Sequence, residues 1–175
     1  MQQPDATSPS PDLRAAESTE QLGGALGRIP SGLFIVTWRA AGSDRAMLAS
    51  WVMQAGFEPP LLSVAVGTSR DLLATVRDGA SFVVNVLADS QRNLLGRFGK
   101  PPAEGEDPFA GLAVERTSGG SLALADAAAW LECQPVAESV AAAADHAVVL
   151  GRVTATGGRS DQAPLVHLRR NGLRY

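Results

Sequence analysis

Apolar residues along this chain come in short bursts broken by glycine, proline and acidic residues, and most bursts lack a helical period. Leu33–Phe34–Ile35–Val36–Thr37–Trp38 is dense in β-formers and bounded by glycine, which predicts a strand. The polar segment Gly42–Ser43–Asp44–Arg45 then turns the chain into a second strand, Ala46–Met53, as a hairpin. Pro59 and Pro60 enforce an extended turn before a third strand, Leu61–Val66. Ser81–Leu87 predicts a fourth strand, and further strands are expected from Ala128 towards Ser139, over His146–Ala155 and over Pro164–Leu168. Short helices fit Leu22–Ile29, Leu72–Arg77 (with Ser69 or Asp71 as N-cap) and Ser90–Phe98. Between Gly99 and Gly111 the chain is rich in proline, glycine and acids, a long loop suited to a lid or a substrate contact. Six or seven strands joined mostly as hairpins predict a mainly β, antiparallel barrel rather than a βαβ stack.

At 175 residues the chain is long enough to bury one core, and 45% hydrophobic against 19% charged residues marks it as globular. Residues 1–21 are rich in Pro, Ser, Thr and Ala and are expected to be a flexible segment or linker, with one domain over 22–175. A linker there fits a domain that follows others, the alternative being a stand-alone protein. The net charge of −3 provides no basic field, which argues against nucleic acid as the partner. The single cysteine, Cys133, rules out an internal disulfide and a multi-thiolate metal site. No apolar run approaches the ~18 residues of a membrane helix, and the start of the chain has no signal-like pattern. A cytoplasmic location and no membrane partner are the expectation.

No Gly-x-Gly-x-x-Gly opens a helix after a strand, no Walker-type loop is present, and no paired His or Cys spacing suits a metal. Ser50, His146 and Asp145 have the residue types of a hydrolytic triad, but the serine lacks a nucleophile elbow. What remains is a set of hydroxyls, amides and one arginine at or near strand ends: Thr37, Ser50, Gln54, Ser69, Arg70 and Asn85. Singly, each is an ordinary turn or surface residue. Jointly, four successive strands present polar groups at a similar level. A flavin needs such a set, with apolar cover for its dimethylbenzene edge, donors and acceptors for its pyrimidine edge, and hydroxyls and a guanidinium for its phosphate. Small residues at Ala46, Ala49, Ser50, Ala55 and Gly56 would let a flat ring approach the backbone. His146 admits two readings, a rim histidine bonded to Asp145 or a donor to a nicotinamide carboxamide or pyrophosphate. Cys133 reads as a small buried hydrophobe or a redox thiol, and Lys100 as a solvated loop lysine or a phosphate contact. Trp38, Trp51 and Trp130 read as core or dimer-interface anchors rather than ring stackers.

Leu26–Gly27–Arg28–Ile29–Pro30–Ser31–Gly32–Leu33–Phe34–Ile35–Val36–Thr37, followed by Ala46–Met47–Leu48–Ala49–Ser50–Trp51–Val52–Met53–Gln54–Ala55 and Pro59–Pro60, resembles the flavin reductase family with the FMN-binding split barrel. Phe82–Leu87 is similar to that family's asparagine strand, and Asp145–His146 with Gly151–Arg152–Val153 to its Asp-His strand. Ala49–Ser50–Trp51, Lys100–Pro101, Gly105–Gly111 and Leu131–Glu132–Cys133 resemble most the C-terminal flavin reductase domain of the flavodiiron proteins of oxygenic phototrophs. Trp38 departs from the pattern, which has a smaller residue after the threonine.

The resemblance implies a split β-barrel with a few short helices, a homodimer, and flavin sites near the subunit interface. It implies FMN, less often FAD, reduced by NADH or NADPH. Val36, Thr37, Met47, Leu48, Ala49 and Ser50 would then line the isoalloxazine and ribityl chain. Gln54 would lie by the ring or ribityl chain, Ser69 and Arg70 by the phosphate, Asn85 at the ligand's polar edge, and His146 by the nicotinamide. Backbone amides around Ala49–Val52 would meet the pyrimidine edge. Hydride transfer between two cofactors asks for no obligatory catalytic acid or base. The electron acceptor implied is a flavodiiron module, a monooxygenase partner or free flavin. The alternative is a flavin-binding carrier or sensor with no NAD(P)H oxidation of its own.

Overall fold

The computed structural model describes residues 18–103, 105–137, 140–142 and 144–173, so most of the expected linker lies outside the described residues. The chain divides into two units, one running Ser31–His167 and the other combining the segments before and after it.

In the second unit, α1 (Thr19–Gly27) begins three residues earlier than the apolar pattern indicated. The reason is a cap. Ser18 is extended and its hydroxyl accepts a hydrogen bond from the Gln21 amide at 3.1 Å, satisfying one of the first-turn donors. The returning C-terminal segment crosses this helix, and the Gly172 amide donates to the Gly23 carbonyl at 2.7 Å.

The first unit contains, in order, β1 (Ser31–Gly32), β2 (Phe34–Ala40), β3 (Ser43–Ala49), β4 (Val52–Gly56), β5 (Leu61–Gly67), α2 (Leu72–Arg77), β6 (Phe82–Val86), α3 (Leu94–Phe98), β7 (Val114–Arg116), β8 (Leu122–Leu124), β9 (Ala129–Pro135), β10 (Ala141–Ala142), β11 (His146–Gly157) and β12 (Val166–His167). The main sheet is antiparallel throughout and runs β3-β2-β6-β9-β11-β5-β4, with β10 on β11. The expected strand Ala46–Met53 is therefore two strands. It breaks at Ser50–Trp51, and its halves lie at opposite ends of the sheet order. Only a sheet curled into a split barrel lets two residues join its two edges.

Side-chain alternation sorts the sheet residues into two layers. Val36, Trp38, Met47, Ala49, Val64, Val66, Phe82, Val84, Cys133, Ala147 and Val149 form the inner core, plugged by Leu72, Leu73 and Val76 of α2. On the outer face Leu33, Ile35 and Leu87 pack with Leu94, Phe98, Phe109, Leu122 and Leu124. The Gly99–Gly111 loop belongs to this outer layer. Phe109 lies on Phe98 with ring centroids 5.8 Å apart, and Arg97 donates to the Ala110 carbonyl at 2.7 Å. These contacts hold Phe109 and Ala110 at the end of the stretch that suggested a lid.

The β7–β8 hairpin has no apolar run long enough to announce it, and polar groups hold it down instead. Asp44 takes a bidentate pair from Arg116 at 2.8 and 2.9 Å, and this guanidinium keeps the carboxyl below its usual range. At the hairpin tip, buried Glu132 accepts from the Ser118 hydroxyl and the Gly119 amide, each at 2.8 Å. Gly119 is needed here because a Cβ would stand 2.0 Å from Ser81 Oγ. Burial pushes the Glu132 carboxyl up, but hydrogen bonds from Thr117, Ser118 and Gly119 outweigh it and hold the group below the ordinary carboxylate range.

A carboxylate whose folded-state value is depressed stabilises the fold above its unfolded value of about 4.3 and loses that contribution as pH falls. Glu132→Gln turns one acceptor into a donor facing a donor. Urea denaturation at pH 7 is expected to show a loss of about 1–3 kcal/mol. The gap between the two proteins should narrow as the pH is lowered below 4.

Candidate functional site at the strand corner

The bridge from β3 to β4 meets the end of β5 and the start of β11 at one corner. Ser50 is buried, whereas Trp51, next in the chain, is 41% exposed. Its carbonyl accepts from the Ala65 amide at 2.9 Å, which fixes the backbone of the bridge to β5. The register pairs His146 with Gly67 and Val148 with Ala65, so these residues share one face of the sheet. The Trp51 and His146 rings meet edge-on, with centroids 4.9 Å apart and planes at 62°. His146 Nδ1 stands 3.0 Å from Asp145 Oδ1, close enough for an ion pair though off the direction of a good hydrogen bond. This neighbour lowers the Asp145 carboxyl below its usual range. The Asp145 carbonyl is itself fixed by Thr68, whose amide and hydroxyl donate to it at 2.9 and 3.1 Å.

Beyond Gly67 the chain turns tightly, with the Arg70 amide donating to the Gly67 carbonyl at 2.9 Å, and leaves Ser69 and Arg70 exposed. A Cβ on Gly67 would sit 3.9 Å from Arg70 Cγ and 4.0 Å from His146 Nε2. The missing side chain keeps open the space between a guanidinium stem and an imidazole. Asp71, a candidate helix cap, makes no cap bond and faces Arg45 at 3.8 Å instead. The corner thus joins a cation, hydroxyls and an aromatic ring beside β3, which has one ladder partner. That set suits a phosphorylated aromatic ligand.

The structure separates the other expected residues. Met47 and Ala49 point into the inner core, and so does Val36, which is fully buried. Leu48 packs in the outer layer. Thr37 and Asn85 are fully buried on the outer face and committed to β8. The Thr37 hydroxyl donates to the Leu122 carbonyl, while Asn85 donates to the Ile35 carbonyl at 2.9 Å and accepts from the Leu124 amide at 2.7 Å. Val36, Thr37 and Asn85 are thus enclosed, with Thr37 and Asn85 bonded within the protein. Gln54 is exposed on β4 opposite Leu62, about 16 Å along the ladder from Gly67. Ser69, Arg70 and His146 lie at the corner, and Ser50 is the buried residue that precedes Trp51 in the bridge. Trp51 and Gly67 were not anticipated there; the cue was a large aromatic in a small-residue strand, and a glycine closing an apolar one.

Cys133 is fully buried, and burial pushes its thiol up to about 12, so it acts as a small hydrophobe. Lys100 is exposed. Trp38 is a core residue. Among the described residues no cluster of His, Cys, Asp and Glu suits a metal, and no helix is long and apolar enough to cross a membrane.

The family profile described as "Flavin reductase like domain" matches residues 26–173. This chain belongs to that family. Among relatives, the diflavin flavoprotein A 1 of Synechocystis sp. (strain ATCC 27184 / PCC 6803 / Kazusa) is 39% identical over 86% of this chain and 26% of its own length. A putative diflavin flavoprotein A 3 from the same organism is 38% identical over 95% of the chain and 28% of its own length. The chain therefore spans about a quarter of the length of the curated relatives it matches. Of solved structures, the NADH:FAD oxidoreductase SgcE6 of Streptomyces globisporus C-1027 superposes with a TM-score of 0.75 at 25% identity, covering 97% of this chain and 96% of that one. The flavin reductase PheA2 superposes with a TM-score of 0.70 at 26% identity, covering 83% and 90%. As a flavin reductase-like domain, the chain shares their mainly β split barrel.

Asn85→Ala tests the scaffold role directly. It strands the buried Leu124 amide, so a stability loss of about 1–3 kcal/mol is expected, with faster hydrogen exchange at Leu124. Unchanged stability would return Asn85 to the list of ligand contacts.

Proposed function

We propose that this domain is an NAD(P)H-dependent flavin reductase, taking FMN (FAD being the alternative) at the β3–β4 corner and electrons from NADH or NADPH. The observation that carries the reading is the corner itself, where the exposed Ser69–Arg70 turn and the open space beside Gly67 adjoin the half-buried His146, which meets Trp51 of the β3–β4 bridge. Bound there, the flavin supplies a ring that takes a hydride, with its electron pair, from the dihydronicotinamide, which leaves oxidised. The chain's own residues bind and orient. Arg70 and Ser69 hold the phosphate as charge-assisted and hydroxyl partners. The backbone of Met47, Leu48, Ala49 and Ser50, on the edge strand, faces the ring's polar edge. Gln54, far along the ladder from Arg70, fits the opposite end of an elongated ligand. His146 orients the nicotinamide. No side-chain contact with the ligand is assigned to Val36, Thr37 or Asn85.

The outward face of β4, β5 and β11 adjoins the corner and carries Met53 at 72% and Val148 at 43% exposure. We assign this face to a homodimer contact. Since the relatives are longer proteins, the electrons are proposed to pass to a fused or separate partner module, or to free flavin.

Anaerobic mixing with FMN and either nicotinamide is expected to bleach the flavin band. Arg70→Ala should raise the FMN dissociation constant about tenfold, equivalent to about 1.4 kcal/mol. FMN that binds but stays oxidised under both reductants would point to a carrier instead. Equal affinity in Arg70→Ala would move the phosphate elsewhere.

A further inference from the structure

We infer that Trp51 is a positioning residue: its indole holds the His146 imidazole so that Nε2 faces the entry to the corner, an inference that rests on the reductase reading above. The inner core already has its own tryptophan in Trp38, 2% exposed, whereas Trp51 leaves 41% of its surface outside. Its placement is nonetheless fixed. The Ala65 amide binds its carbonyl at 2.9 Å, and it occupies one of the two positions that carry the chain between sheet edges. A large aromatic held this firmly in an exposed place is arranged for what lies beside it. That neighbour is the His146 ring, met edge-on at 4.9 Å, a geometry that aromatic quadrupoles favour.

The imidazole has a neighbour on each of two sides, and the one that packs on its ring is Trp51. Trp51 bears on the ring, and Asp145 Oδ1 stands 3.0 Å from Nδ1 while Thr68 fixes the Asp145 backbone. Nε2 is the atom left towards Gly67, where the lack of a side chain keeps the approach open. A hydride transfer needs its two rings at near-attack distance, and a small misplacement of either is costly. Removing the indole frees the imidazole to rotate while leaving the phosphate end of the site intact. The inference therefore separates two functions at one corner, with Arg70 setting flavin affinity and Trp51, through His146, setting the use of the reductant.

The test compares the full chain with Trp51→Ala and Trp51→Phe by NMR of the histidine ring protons without flavin, and by steady-state kinetics at saturating FMN. The chain has two histidines, so His167 serves as the internal control. The His146 resonances are expected to move in Trp51→Ala while those of His167 stay. The specificity constant for the nicotinamide, measured at saturating FMN, should fall about tenfold. Trp51→Phe, which keeps an aromatic edge, should restore most of the rate. A folded Trp51→Ala protein with unmoved His146 resonances, or with an unchanged specificity constant, overturns the inference. A parent protein that binds FMN yet never oxidises a nicotinamide removes the role together with the reductase reading. The NMR comparison would still report the ring contact, so the two failures are told apart.

Discussion

Two residues carry the chain from one edge of the main sheet to the other. Ala49 ends β3, Val52 begins β4, and three Cα–Cα steps between them reach at most about 11 Å. A flat seven-stranded sheet would put its edge strands near 29 Å apart, six spacings of about 4.8 Å. The sheet must therefore curl until its edges face each other, and the hydrophobic inner layer follows from that closure. Val36 and Met47 can then meet Val64 and Val149 from strands distant in the order. Burial of apolar surface at about 25 cal/mol per Å² favours the curled form, but the short bridge removes the flat one. Ser50 and Trp51 illustrate two ways a side chain fits such a point. One is small enough to be enclosed, and the other is turned outward.

Closure also explains why the outer face is partly polar. A second layer of α3, the Gly99–Gly111 loop and the β7–β8 hairpin covers the sheet there, and the hairpin is too short to hold itself by burial alone. Asn85 and Thr37 reach across to the backbone at Leu124 and Leu122, while Glu132 gathers the tip. Each polar group is fully enclosed only because it has partners, as burial requires. Such residues look like ligand donors in a sequence because both uses need the same atoms.

That ambiguity sets the limit of what the sequence conveyed. The β2–β3 hairpin, β5, α2, β6 and β11 were legible from apolar alternation and turn residues, and the motif around Ala49–Ser50–Trp51 pointed to the family. The break between β3 and β4 was not legible, because Ala46–Met53 is continuous in its small and apolar residues and only the sheet order separates its halves. The helix start at Thr19 depended on one serine hydroxyl rather than on periodicity. Thr37 and Asn85 were placed on the right strands, but their bonds to the β8 backbone were not legible. An alternating pattern tells which residues share a face, and it does not tell what covers that face. Trp51 was read as a core or interface anchor, and its pairing with His146 depends on the order of strands in the sheet rather than on its local sequence.

A site assembled at such a corner relies on geometry more than on acid–base chemistry. The buried cysteine is held protonated and is inert, and the strongly engaged carboxylates, Asp44 and Glu132, serve the hairpin rather than the corner. Of the shifted carboxylates, Asp145 lies at the corner, beside His146, and serves there as a neighbour of the imidazole. What the corner possesses is a fixed backbone, an open glycine, one arginine and a histidine packed against Trp51. If the ligand brings the reactive ring, these are sufficient, because the remaining task is to hold two flat molecules at the right separation. The closure that makes the fold then makes the site as well, and a change that loosened the bridge would be felt in both.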